Sequence, residues 1–129
     1  PMPNREIVNI TLAKLLLATQ AGATTAQTSA SLDTQGFDAA SFHVHYGATA
    51  PAPTSVSVEE SDDNSTFAAA AAANVILPTG THAVSKTARY GYIGAKRYCR
   101  IVVTPSAATD LTISGTMSYA AQKPVDNPV

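Results

Sequence analysis

The chain has 129 residues, a formal net charge of -1, 13% charged residues and 45% hydrophobic residues, much of the last being alanine. A chain of that length folds as one domain that buries about two-thirds of the surface exposed when unfolded, so a second domain is not expected. The low charge excludes the broad basic field of a protein that coats nucleic acid, and the lack of Trp beside plentiful Ser and Thr reads as a β-rich chain with a thin core.

Residues 1–22 differ from the rest. Val8, Ile10 and Leu12 alternate with Asn9 and Thr11 as in a half-buried strand, whereas Leu12, Leu15 and Leu16 have the spacing of one helical face, with Thr11 as a cap and Gly22 near the end. Both readings stand at this point. Ile7, Val8, Ile10, Leu12, Leu15, Leu16 and Leu17 put seven large aliphatics within eleven residues. Burying each contributes about 1.5–3 kcal/mol, so some surface receives them, either the protein's own sandwich or a neighbouring subunit. The apolar run Leu12 to Ala23 is interrupted by Lys14 and is too short for a secretory core or a membrane span, so neither export nor a membrane is expected.

From Ala23 the signals are β. Thr24 to Ser31 has few large side chains and reads as an edge strand or loop, and Gly36 marks a bend. Phe42, Val44 and Tyr46 then alternate with Ser41, His43 and His45, which assigns the first trio to the core. After a Gly- and Pro-bearing connection, Val56 and Val58 alternate with polar neighbours, and Asp62-Asp63-Asn64-Ser65 closes a hairpin because Asp and Asn bond their own backbone and tolerate left-handed torsions. Ala68 to Ala73 is too short for an isolated helix and is expected to be irregular or a single turn, ending before Pro78-Thr79-Gly80. Tyr90 and Tyr92 share a strand face, Gly94-Ala95 turns the chain, and Cys99, Ile101 and Val103 form the apolar side of the next strand. Leu111, Ile113, Met117 and Tyr119 give the most regular alternation, before a tail over residues 122–129 that carries Pro124 and Pro128. Seven or eight short strands with no βαβ rhythm predict an all-β antiparallel sandwich; pattern alone does not separate a jelly roll from an immunoglobulin-like topology.

The residues that carry chemistry are few. His43 and His45 share a strand face, yet a metal needs further ligands and His82 is the only other histidine, so no metal is expected. Four of nine acids lie within residues 59–63, without the spacing of a calcium loop. Cys99 sits mid-strand among apolar neighbours and cannot form an internal disulfide, being the only cysteine. No nucleophile elbow or phosphate loop is present, so neither catalysis nor a cofactor is expected. Lys86, Arg89, Lys96, Arg97 and Arg100 place five of eight basic residues within fifteen positions. That cluster complements the acidic one and can pair with it within a sheet or across a subunit contact.

Glu59-Glu60-Ser61-Asp62-Asp63-Asn64-Ser65-Thr66-Phe67 and Tyr90-Gly91-Tyr92-Ile93-Gly94-Ala95-Lys96-Arg97-Tyr98-Cys99-Arg100, with Leu32-Asp33-Thr34-Gln35-Gly36-Phe37-Asp38 upstream, resemble in order and spacing a group of small structural proteins of tailed bacteriophages and prophages. The likeness covers residues 32–104 and departs at Cys99, where an aliphatic is commoner, and Phe67, where Trp is usual. It favours a jelly-roll-like topology for the sandwich, which the pattern along the chain places over residues 23–121, with residues 1–22 as a short N-terminal arm or helix and residues 122–129 as an extended tail. The role it implies is that of a virion structural protein, made in the host cytoplasm; the small size, single sandwich and apolar terminal segment extend that expectation to a capsid cement or decoration protein on the virion surface, and the missing catalytic motifs to a non-enzymatic one. Its partners are then the major capsid protein and copies of itself, as a homodimer or other homo-oligomer, and not nucleic acid or membrane. Ile7, Val8, Ile10, Leu12, Leu15, Leu16, Leu17, Arg97 and Arg100 are the interface candidates. A surface glycan- or receptor-binding sandwich, or a tail or connector component, are the alternative roles.

Overall fold

The computed structural model describes residues 11–37, 39–77 and 84–118. Its strands are β1 (Thr11–Ala23), β2 (Gln27–Thr28), β3 (Leu32–Asp33), β4 (Ala39–Tyr46), β5 (Ser55–Ser61), β6 (Ala68–Ala69), β7 (Val75–Ile76), β8 (Thr87–Tyr92), β9 (Tyr98–Thr104) and β10 (Thr109–Ser118). They make two antiparallel sheets, ordered β1-β10-β4-β8-β7 and β2-β9-β5-β6, with β3 also paired to β9.

The topology follows from one long hairpin. Its tip is the turn at residues 62–66, and its arms pair in nested fashion: β5 with β6, β4 with β8, β2 and β3 with β9, and β1 with β10. Rolling that hairpin brings β10 against β4 and β9 against β5, which closes the two sheets. β2 and β3 act as one interrupted strand, the gap being filled where the Ser29 N–H donates to the Ile101 carbonyl at 2.9 Å and the Ser29 hydroxyl accepts from the Ile101 N–H at 3.0 Å. β6 and β7 likewise form one strand that straddles the sheets. Counted this way the described residues form eight strands, in spatial orders 1-8-3-6 and 2-7-4-5, which is the jelly roll and not the immunoglobulin arrangement.

The core lies between the sheets. Phe42, Val44 and Tyr46 of β4, Leu111, Ile113 and Met117 of β10, and Tyr90 and Tyr92 of β8 face Cys99, Ile101 and Val103 of β9. Alternation therefore assigned these faces correctly; Tyr119 lies outside the described residues. The alanine run splits into the two-residue β6 and a 3-10 turn over Ala72–Asn74. A bend at Gly36 is seen as well, with φ +87°.

The helical alternative for the N-terminal segment is not what forms. Thr11–Ala23 is a 13-residue strand, and Thr11 sits opposite Ser118 in the β10 ladder instead of capping a helix. Three register shifts, between Leu15 and Leu17, Leu17 and Gln20, and Gln20 and Ala23, make its side-chain pattern irregular. From Thr11 onward the segment set apart as residues 1–22 is thus part of the sandwich, because β10 would otherwise leave a full row of backbone groups unpaired. Ile7, Val8 and Ile10, and the tail at residues 122–129, lie outside the described residues.

Candidate functional site

Three surfaces bear on function. The first joins the acidic turn to the basic strand. Asp63 Oδ1 accepts from the N–H groups of Thr66 (2.8 Å) and Ser65 (2.9 Å), which hold its carboxyl below the usual range, and Asn64 takes the left-handed torsion, φ 58°, that the turn requires. Register then dictates the ion pairs. Glu59 lies opposite Arg100, and Arg100 Nε donates to Glu59 Oε1 at 2.7 Å while its guanidinium carbon sits 3.9 Å from the Phe67 ring centroid. Lys96 reaches Asp62 at 2.6 Å. Arg97 grips Asp33 with two bonds of 2.8 Å, which holds the Asp33 carboxyl down at about 2.

Tyr92 ties this network to the other sheet, its hydroxyl donating to Glu60 Oε1 at 2.7 Å and accepting from the Lys96 N–H at 3.1 Å. Gly94 is required beside it, since a Cβ there would stand 2.4–2.6 Å from the Tyr92 ring and hydroxyl. The acidic turn, the basic strand and Asp33 therefore form one assembled unit. Arg97 and Arg100, expected at a subunit contact, are engaged within their own chain, and exposed pairs of this kind fix register more than they add stability.

The second surface is strand β1. Leu16 is buried, Leu17 packs partly on the core, and Leu12 and Leu15 are 41% and 67% exposed. The leucine run is thus divided between the protein's own core and a free surface. No described strand pairs with the outer edge of β1, and its three register shifts together with Lys14 blunt that edge against strand addition.

The third is the outward face of β10, β4 and β8, whose side chains are mostly Ser, Thr, His and Arg, with Asp110 at the start of β10. His45 is fully engaged, Nδ1 with the Thr87 hydroxyl and Nε2 with the Ser114 hydroxyl, both at 2.9 Å. His43 Nε2 meets the Ser41 and Thr116 hydroxyls at 3.2 and 3.3 Å. The two rings stack with centroids 6.4 Å apart. Beside them Ser41, His43, Ile76, Arg89, Tyr90 and Gly91 line a shallow concavity of about 360 Å3. Sequence reading missed it, although Gly91 within a strand was a signal of close approach to that face.

Burial, then the charges of His45 and Arg89, hold His43 below its ordinary value of 6.5. The folded state thus binds fewer protons here than the unfolded chain, so this contribution to stability is complete above pH 6.5 and is lost as pH falls through that value toward the folded pKa. His43→Gln is expected to flatten the fall in unfolding free energy between about pH 7 and 5, read by urea denaturation; a slope unchanged from the parent would place the effect elsewhere.

Among the described residues no three His, Cys, Asp or Glu come together as a metal site, and His82 lies outside them. Burial pushes the Cys99 thiol up to about 12, so it stays protonated at neutral pH. No described helix is long and apolar enough to cross a membrane. No family model, curated protein or solved structure matches the chain.

Proposed function

We propose that this chain is a structural protein of a tailed-phage virion, a cement or decoration protein that sits on the capsid and bridges adjacent major capsid subunits. The observation that supports this reading best is the assembled unit just described. The residues that carry the phage resemblance, from Asp33 through the acidic turn to Arg100, bond mainly to one another, so the likeness is to a coherent piece of architecture and not to scattered matches. The jelly roll is compatible with this role and with lectin-like roles, and by itself decides neither. Leu12 and Leu15, both on the edge strand β1, supply an exposed apolar anchor. Many copies, each bridging weakly, would act together because every bridge raises the effective concentration of the next.

Quantitative mass spectrometry of purified particles tests the role: hundreds of copies per virion are expected of a cement protein, whereas six to a few dozen would indicate a tail or connector component, and none would end the proposal. Leu15→Glu, at a site 67% exposed, is expected to leave folding stability within about 0.5 kcal/mol and to reduce particle occupancy severalfold. Unchanged occupancy in the Leu12→Glu, Leu15→Glu double variant would remove β1 from the contact.

A further inference from the structure

The concavity on the outer face of β4, β8 and β7 has a chemistry that the cement role does not use. Its shape follows from register. Ser41 lies opposite Gly91, and Gly91 opposite Ile76, so the middle member of this three-strand row has no side chain. The backbones of Ser41 and Ile76 are two strand spacings apart, about 9–10 Å, and the Gly91 backbone floors the space between them, over which the Ile76 side chain leans from one side. Any larger residue would intrude, since even a Cβ on Gly91 would stand 3.2 Å from the Ile76 Cβ. In the next row His43 lies opposite Arg89, which sets an imidazole and a guanidinium at the end of the slot. Ile76, 54% exposed, forms an apolar wall.

Among the described residues the Arg89 charge on this face has no carboxylate partner. Arg97 and Arg100 each pair with a carboxylate, but no described carboxylate pairs with Arg89. The only described acid on the outward side of β10 is Asp110, four residues along from Ser114, and its Oδ1 accepts from the Gly22 N–H at 2.8 Å. His43 uses Nε2 for its hydroxyl partners, and no described residue bonds its Nδ1. A planar fork with no described anion, a ring nitrogen, a hydroxyl and an apolar wall surround one slot at the small end of the range for ligand sites.

We propose that this slot binds an acidic sugar, a single uronate residue of a surface polysaccharide, with its carboxylate on Arg89. A pyranose ring offers what the slot complements: a C–H face for Ile76 and the Gly91 floor, hydroxyls for Ser41 and His43, and a planar carboxylate for a bidentate bond from the guanidinium. A neutral sugar lacks the last of these, and a bare carboxylate lacks the rest. The site is separate from Leu12 and Leu15 and holds whether or not the chain sits on a capsid.

NMR titration of the folded full-length chain with D-galacturonate and D-glucuronate tests it, with D-glucose and acetate as controls. Saturable shifts in the amides of Ser41, His43, Arg89 and Gly91 are expected with at least one uronate, and Arg89→Gln is expected to weaken binding at least about tenfold without unfolding an exposed site. Arg89→Lys, which keeps the charge but loses the fork, is expected to fall between them. Equal affinity for glucose would overturn the carboxylate contact, and equal affinity for acetate would overturn the sugar. Retention of uronate binding in Arg89→Gln, shifts centred elsewhere, or no shift with either uronate would each overturn the proposal.

Discussion

Phe42→Ala is expected to destabilise the fold by about 3–5 kcal/mol and to lower the melting temperature by roughly 10–20 °C. Phe42 has no exposed surface and lies in the middle of β4, opposite Gly115 of β10 on one side and Tyr90 of β8 on the other. Its ring is enclosed between the two sheets, and truncation creates a cavity whose walls, held by two ladders, cannot collapse. Chemical denaturation with a two-state fit is the measurement. A loss under about 1 kcal/mol would mean that the site repacks and that the core is less rigid than its burial implies.

Gly115→Val is the reciprocal experiment. A Cβ at Gly115 would stand 2.7 Å from Leu16 Cδ1 and 2.9 Å from Leu32 Cδ1, and Leu32 is completely buried. These are ends of flexible side chains, but packing leaves them nowhere to go. Valine, favoured in a strand on propensity, is nevertheless expected to cost about 2–3 kcal/mol here, with alanine costing less. Recovery of stability when Leu32 is shortened to Val in the same chain would identify the clash as the cause; no recovery would place the strain in the backbone.

The faces of the central strands were legible because a fully sandwiched strand has a strict period of two. Phe42, Val44 and Tyr46 in β4 and Leu111, Ile113 and Met117 in β10 show it without interruption. In β1 the same rule failed. Leu15, Leu16 and Leu17 run consecutively, and a register shift between Leu15 and Leu17 lets Leu17 pack on the core beside buried Leu16 while Leu15 faces out, so the sequence imitates a helical stripe as well as a strand.

Neighbours were not legible. Nothing local to residues 59 or 100 says that they lie opposite one another, and the two charge clusters could be seen without their pairing being assigned. The jelly roll, the intramolecular use of Arg97 and Arg100, and the slot at Gly91 depend on such non-local register. For the same reason it could be found only once the partners of the other described arginines were known that no described carboxylate pairs with Arg89.

The nested arms of the rolled hairpin also set an order of closure. Pairing β5 with β6 closes only the short turn at residues 62–66, whereas bringing Thr11 to Ser118 directly would close a loop of more than a hundred residues. Each inner pair shortens the loop that the next must close, so the chain can zip outward from its tip and meet the entropic cost in instalments. The contacts between β10 and β4 and between β9 and β5 gain from no such shortcut and must await the roll. A chain built this way folds slowly for its size, and its outermost ladder, β1 on β10, is the last to be secured and the first to open.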